Sequence, residues 1–213
     1  EIRNWNLWNR ELIKGMNQIY EFNRLFEKAD KYYSSKAYSI ALDFIDSAIK
    51  LDKYVTNQSL IEAYFLRSEI NQALGQYQES ISGLNKIIEL GYEDVNIYNY
   101  RGLCKLELKA FSEARYDFNK AIELNPRDSV SFNNRALAYH YLNNFEESNK
   151  DFKSAIDYLP NGEEEVHKKI FENYQINLYK KNSTKRYLLV FLISLIIGFI
   201  VFLFILWIYY ASK

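Results

Sequence analysis

Two stretches of the sequence decide the fold: YNYRGLCKLELKAFSEARYDFNKAIEL at residues 98–124 and FNNRALAYHYLNNFEESNKDFKSAIDY at residues 132–158. A third copy, YFLRSEINQALGQYQESISGLNKIIEL, begins at Tyr64, so the three starts at Tyr64, Tyr98 and Phe132 are evenly spaced. An Arg recurs at the same place in each copy: Arg67, Arg101 and Arg135. A fixed period of this length indicates a repeat protein.

Each copy contains two stretches in which small and apolar residues recur at helical spacing. After a short break at residues 109–112, Ala114, Phe118 and Ala121 predict the second helix of one copy. An earlier, fourth copy contains Ala29 and Ala41 at the corresponding places. Small residues stand at matching places in the two helices, which lets their backbones approach closely: Ala29, Ser68, Gly102 and Ala136 in the first helix, and Ala41, Ser80, Ala114 and Ser148 in the second. Pro126 and Pro160 follow the second helix, where a fixed φ and a missing N–H end it.

These copies resemble tetratricopeptide repeats, the 34-residue helix-turn-helix family. The resemblance covers roughly residues 22–162 and implies an all-α superhelix of about four repeats, at 22–55, 61–94, 95–128 and 129–162. A short insertion near residues 51–58 accounts for the longer spacing after the first repeat. With only 7 Gly and 2 Pro, the chain has the composition of a mainly helical protein.

Residues 1–21 are predicted to form an amphipathic N-terminal helix. Its apolar face contains Trp5, Trp8, Leu12, Met16 and Ile19. Two roles remain open for this helix, which either caps the first repeat or is what is left of an earlier one.

The resemblance implies a concave groove, lined by the first helix of each repeat, that binds a peptide or helix of a partner protein. We expect these residues to line it: Phe26, Tyr33, Glu62, Phe65, Glu69, Asn96, Asn99, Leu103, Leu106, Asn133, Leu137 and His140. The set mixes apolar and polar residues, and its acidic members, Glu62 and Glu69, lie in the first half of the array. It therefore favours a partner segment with aliphatic anchors and some basic residues.

Two modes of anion binding are alternatives to this groove. Family members that hold a chaperone's C-terminal carboxylate use Lys, Asn and Arg from successive first helices. Only Asn134 falls in a matching place, because Asn99 and Leu103 stand where the first Lys and Asn would be. The repeating Arg residues could form an anion track, but we expect their stems to pack between repeats and their heads to be solvated.

No motif for catalysis, cofactor binding or metal binding is found, so we predict a protein that is not an enzyme. His140 and His167 have no second ligand at zinc spacing, and Cys104 has no neighbour in sequence that would favour its thiolate. The 27 Lys and Arg residues equal the 27 Asp and Glu residues, which argues against a nucleic-acid partner.

The C-terminal part of the sequence predicts a capping helix and a membrane span. Residues 163–186 are predicted to form an amphipathic helix whose apolar stripe covers the last repeat. Residues 187–210 follow, and the uncharged stretch from 188 to 208, at about 1.5 Å per residue, gives roughly 31 Å, the thickness of a hydrocarbon core. Residues 211–213 form a short tail. Ser194 and Gly198 make a small-xxx-small step compatible with weak pairing of two spans, although small residues facing lipid would look the same.

The charges beside the span predict its orientation. Lys180, Lys181, Lys185 and Arg186 precede it, whereas Lys213 alone follows it. The positive-inside rule then places the repeats on the cytoplasmic side of a single-pass membrane protein.

Two functions fit this layout. The first is a tail-anchored adaptor whose groove recruits a partner protein at a membrane. The alternative is a truncated membrane signal transducer with a repeat sensor and a missing C-terminal effector domain.

Overall fold

The structure is a computed structural model that describes residues 2–159, 168–170, 172–176 and 180. Its helices in chain order are α1 (Ile2–Ser34), α2 (Tyr38–Ile49), α3 (Asn57–Ala73), α4 (Tyr77–Glu89), α5 (Val95–Glu107), α6 (Phe111–Leu124), α7 (Ser129–Tyr141) and α8 (Phe145–Asp157). They pack as four successive pairs, and each helix mainly contacts its neighbours in sequence. The predicted all-α repeat fold is confirmed for this part of the chain.

The turn inside each pair is built in the same way in all four pairs. One residue in the left-handed region follows the first helix: Lys36 (φ 61°), Gly75 (φ 73°), Lys109 (φ 60°) and Asn143 (φ 59°). Two backbone hydrogen bonds then close the turn, as where the N–H groups of Lys109 and Ala110 donate to the carbonyls of Leu106 and Lys105 over 2.9 and 2.8 Å. The backbone angle and the two hydrogen bonds recur in all four turns, so the turn repeats in geometry while its sequence varies.

The first helices of the later pairs begin with side-chain caps. Thr56, Asp94 and Asp128 accept hydrogen bonds from the backbone N–H groups of Ser59, Asn96 and Ser131 over 3.2, 2.8 and 2.8 Å. A 3₁₀ turn at Asp52–Tyr54 occupies the stretch where extra residues are predicted. These features set where α3, α5 and α7 start, and therefore the register of their exposed faces.

Small residues lie where the two helices of a pair touch. The Ser148 hydroxyl donates to the Ala136 carbonyl over 2.8 Å, which brings α8 against the backbone of α7. A Cβ added at Gly102 would lie 2.5 Å from a ring carbon of Phe118. The contact between α5 and α6 therefore leaves no room for a side chain at Gly102.

The N-terminal helix is continuous with the first helix of the repeats, so the predicted boundary at residue 21 is not a break in the helix. Leu12, Met16 and Ile19 are exposed, with 62% of Met16 accessible. The core begins at Phe22, which is buried against a cluster that includes Ala41 and Ile45. These three exposed side chains therefore do not cap the first repeat.

Beyond α8, the described residues 168–170 and 172–176 are helical. Ile170 is buried with Ala136, Phe152 and Ala155, and the Tyr174 ring lies 6.2 Å from that of Phe152. These contacts cover the apolar side of the last helix pair.

The predicted span at 187–210, the tail at 211–213, the Ser194 and Gly198 step and most of 163–186 lie outside the described residues. Among the residues that are described, no helix combines the length and apolar character needed to cross a membrane.

Candidate functional site

Two cavities open between neighbouring first helices, on the surface formed by α1, α3, α5 and α7, here called the first-helix face. One lies between α3 and α5, has a volume of about 250 Å³, and is lined by Gln58, Ile61, Glu62, Phe65, Tyr92, Asp94, Asn96 and Ile97. The other lies between α5 and α7, has a volume of about 230 Å³, and is lined by Asn96, Asn99, Tyr100, Leu103, Asp128 and Val130.

The two cavities are equivalent positions in successive repeats. Glu62 and Phe65 in the first correspond to Asn96 and Asn99 in the second, one repeat later in the sequence. Of the twelve residues predicted for the groove, five line these cavities: Glu62, Phe65, Asn96, Asn99 and Leu103.

A cluster of aromatic and acidic side chains joins three first helices on the same face. The Tyr100 hydroxyl on α5 donates to Oε1 of Glu69 on α3 over 3.4 Å. The Phe65 ring meets the Tyr100 ring edge-on, with centroids 5.2 Å apart. Tyr33 on α1 interacts electrostatically with both Glu69 and Tyr100. We call Tyr33, Phe65, Glu69 and Tyr100 the Glu69 cluster.

Burial governs the ionisation of this cluster. It raises the pKa of the Glu69 carboxyl, the hydrogen bond from Tyr100 lowers that pKa, and the nearby Asp30 carboxylate raises it, with a net rise. Burial also raises the pKa of the Tyr100 hydroxyl, and the charge of Glu69 raises it further. The pKa of Tyr33 rises for the same two reasons. Within the described part of the chain, Glu69 forms no ion pair with a Lys or Arg.

Tyr100 is the cluster member that the sequence prediction missed. It stands four residues after Asn96, so it lies on the same side of α5 as a residue that was predicted. Helical spacing from Asn96 makes Tyr100 a candidate, but only the position of α5 beside α3 shows that it reaches Glu69.

Some predicted groove residues serve the packing of the array. Asn99 is buried, and its Nδ2 donates to Ser131 Oγ over 2.8 Å and to Asp128 Oδ2 over 3.2 Å, which ties α5 to the start of α7. Asn133 accepts a hydrogen bond from Asn173 over 3.4 Å. These two side chains are held by the protein itself, so they present less to a partner than the prediction assumed.

His140 also differs from its predicted place in the groove. It is only 8% exposed, and its ring packs edge-on against Tyr141 and Phe145 at the turn between α7 and α8. This aromatic packing removes most of its surface from contact with a partner.

The remaining predicted residues are half-buried on their own helices. Leu103 and Leu106 pack against the cluster of Ala114, Phe118 and Ala138, and Leu137 packs beside Phe152. Phe26 stacks on Phe22, with ring centroids 6.2 Å apart. Each keeps part of its apolar surface accessible while it supports the core.

The repeating Arg residues do not form an anion track, and their heads are not solvated as predicted. Arg101 binds both carboxylate oxygens of Asp117 over 2.6 and 3.0 Å and reaches Asn85 over 2.7 Å. Arg135 makes the equivalent contacts with Asp151 and Asn119. Arg67 lies 2.6 Å from Asp46. Their positive charges are therefore matched inside the array and are not presented to an anion.

The described residues contain no group of three or more His, Cys, Asp or Glu side chains placed to hold a metal ion. Cys104 is buried, and burial raises the pKa of its thiol. Its Sγ lies 3.4 Å from Ser80 Oγ, in the interface between helix pairs.

Family models for the tetratricopeptide repeat match residues 95–128 and 118–150. The chain has the tetratricopeptide repeat fold. The Arg, small-residue and turn positions described above are thus the internal framework of a tetratricopeptide array, and its first-helix face is the surface that carries the two cavities. None of the curated proteins matches the sequence.

Several solved structures superpose on the array. YrrB, described as a TPR protein with an unusual peptide-binding site, is 21% identical, with a TM-score of 0.59 over 74% of this chain and 77% of YrrB. MamA from Desulfovibrio magneticus RS-1 is 16% identical, with a TM-score of 0.60 over 76% of this chain and 96% of that structure. The TPR2B domain of yeast Sti1, solved in a complex with an Hsp70 peptide, is 20% identical, with a TM-score of 0.54 over 57% of this chain and 98% of the domain. At these identities the likeness shows the fold alone.

Proposed function

We propose that the first-helix face binds an extended segment of a partner protein, and that the chain is a binding module with no catalytic role. The observation that carries this proposal is the pair of equivalent cavities, one repeat apart, with apolar walls from Phe65 and Leu103 and polar rims from Glu62 and Asn96. Apolar pockets with a few polar groups at the rim suit side-chain anchors of a peptide. Two of the similar structures are described as having a peptide-binding site or a bound peptide, which agrees with this use of the fold.

Selection of peptides by the full-length chain in detergent micelles tests the proposal. A library of random peptides about 12 residues long supplies candidate segments, and fluorescence anisotropy measures the affinity of each selected peptide. Phe65→Ala and Leu103→Ala each remove part of one cavity wall, so we expect affinity to fall about tenfold or more. Circular dichroism should show unchanged helical content.

Tyr116→Ala is the matched control, because Tyr116 is an exposed aromatic residue on the second helix α6. Its affinity for the selected peptides should equal that of the wild type. Unchanged affinity in the Phe65 and Leu103 variants would mean that the partner does not use the first-helix face.

We further propose that residues 187–210 anchor the array in a membrane as a single span, with the repeats on the cytoplasmic side. The support is the sequence alone: an uncharged apolar stretch, with four basic residues before it and one after it. Such an anchor would confine the groove to a membrane surface and raise the local concentration of a captured partner.

Membrane vesicles carrying the full-length chain test this proposal. The chain should resist extraction by alkaline carbonate, and protease added from the cytoplasmic side should digest the repeats. Release by carbonate would reject the anchor. Protection of the repeats would reject the adaptor orientation and favour the signal transducer.

A further inference from the structure

Glu69 occupies a position in the array where an ionised acidic side chain is destabilising. It is half-buried, and the described groups that act on it are the Tyr100 hydroxyl and the Asp30 carboxylate. Neither group offers a positive charge. A carboxylate that loses water without gaining a cation destabilises the folded chain.

Several other acidic groups of the array are paired with cations. Asp117 and Asp151, on the second helices, are buried but are paired with Arg101 and Arg135. Exposed acids such as Glu89 and Glu123 have a Lys three residues away. Glu69 therefore stands out as a partly buried carboxylate that has an aromatic hydrogen-bond donor and no cation.

The surroundings of Glu69 suit a cationic side chain from outside. Tyr33 and Tyr100 flank it from α1 and α5, and aromatic rings attract cations through their negative faces. Glu62 lies two turns earlier on α3, at the rim of the cavity that Phe65 lines, and likewise forms no ion pair with another described residue. Carboxylates thus follow α3 from the cavity rim to the Glu69 cluster.

From this charge complementarity we propose that the Glu69 cluster binds an Arg or Lys side chain of the partner segment, beside an apolar residue of the same segment in the cavity at Phe65. The cation would pair with the Glu69 carboxylate and lie against the Tyr100 ring. This ion pair would replace the hydration that Glu69 has lost. The charges are the reverse of those in a carboxylate clamp, where the protein supplies the cations and the partner supplies the carboxylate. The inference rests on the proposed function, because it names the chemistry of the segment that the first-helix face binds.

Peptides selected by the full-length chain provide the test. We expect Arg or Lys to be enriched next to an aliphatic residue. For one such peptide, replacing the basic residue by Gln should weaken binding to the wild type about tenfold. Glu69→Gln should weaken binding of the basic peptide by a similar factor and leave binding of the Gln peptide unchanged.

Charge reversal adds a result that loss of structure would not produce. Glu69→Lys should reverse the preference, so that the peptide with Glu in place of the basic residue binds better than the original peptide. Glu79→Gln on α4 is the control, because Glu79 is an exposed acid on a second helix, and it should leave both affinities unchanged.

The outcomes separate the two proposals. Selected peptides that need Phe65 but show no dependence on Glu69 or on a basic residue would overturn the Glu69 assignment and leave the groove intact. Peptides that bind the Phe65→Ala and Glu69→Gln variants as tightly as they bind the wild type, or failure to select any peptide, would overturn both. Association of the chain with itself that is lost in Glu69→Gln would point to a second copy as the occupant and would also overturn the proposal.

Discussion

Lys105 Nζ lies 2.9 Å from Asp117 Oδ2, so that it shares this carboxylate with Arg101. Asp117 is completely buried. The equivalent acid in the next repeat, Asp151, is held by Arg135, and Tyr139 stands where a second cation like Lys105 would be. The same Arg position thus supports a doubly paired acid in one repeat and a singly paired acid in the next.

This difference predicts an order of stability losses when the Arg residues are replaced by Ala. Arg135→Ala leaves a buried Asp151 without a cation and should cost about 3–5 kcal/mol. Arg101→Ala should cost less, because Lys105 remains on Asp117. Arg67→Ala should cost below about 1 kcal/mol, since the Asp46 side chain is 41% exposed and water can solvate its charge. Urea denaturation followed by circular dichroism measures the three losses.

The double variant Arg101→Ala with Lys105→Met provides the internal check. It should lose about as much stability as Arg135→Ala, because both then leave one buried carboxylate without a cation. Equal losses in all three single variants would contradict the account.

The sequence predicted the helix pairs more reliably than the partners of their side chains. The repeat period and the small-residue positions defined the pairs, because both depend on backbone spacing. The ion pairs depend on how helices cross, and Arg67 shows the difficulty: Gly83 stands where Arg101 finds Asp117, so Arg67 turns to Asp46 in the preceding repeat. Asp117 and Asp151 each follow their Arg by 16 residues, a regularity that could have revealed two of the three pairs.

The groove prediction was limited for a similar reason. A first helix contacts its own partner helix and also the neighbouring repeats, so several of its sides carry apolar or polar residues. Spacing alone could not separate Asn99, which is tied to Ser131, from Tyr100, which reaches Glu69. That distinction requires the relative positions of α3, α5 and α7.

Gly102 should not tolerate a methyl group, in contrast with Gly15. A Cβ at Gly102 would lie 2.5 Å from the Phe118 ring, whereas no atom lies within 4 Å of a Cβ at Gly15 in α1. Gly102→Ala should therefore destabilise the array by about 1–3 kcal/mol despite the helix preference of Ala. Gly15→Ala should raise the helicity of α1, because it reduces backbone freedom without a clash. Thermal unfolding monitored by circular dichroism tests both, and a neutral Gly102→Ala would show that α5 and α6 can separate at little cost.

Replacing Lys109 by glycine should stabilise the array. Its φ of 60° is unfavourable for a side chain with a Cβ, and the equivalent residue of the second pair is already Gly75. Lys109→Gly should stabilise the array by up to about 1 kcal/mol. Asn143→Gly should gain less, since Asn tolerates the left-handed region better than Lys. Chemical denaturation of the two variants tests this order, and a loss of stability in Lys109→Gly would mean that the long side chain contributes more than its strain costs.

Glu69 should make the folded chain less stable near neutral pH. Its pKa is raised by burial and by Asp30 against the lowering effect of Tyr100, so the folded state holds the proton more tightly than the unfolded state does. The cost of the ionised form applies above the folded pKa and disappears as the pH falls through the unfolded value.

Glu69→Gln keeps an acceptor for Tyr100 and should be more stable than the wild type at about pH 7.5, by up to about 1 kcal/mol, with the gain shrinking towards about pH 4. Denaturation at the two pH values measures the gain, which should be larger in a Tyr100→Phe background because that variant removes the hydrogen bond to the carboxylate. A variant that is more stable but binds the basic peptide less tightly would separate binding from folding at Glu69; a variant that is less stable at both pH values would assign Glu69 a structural role.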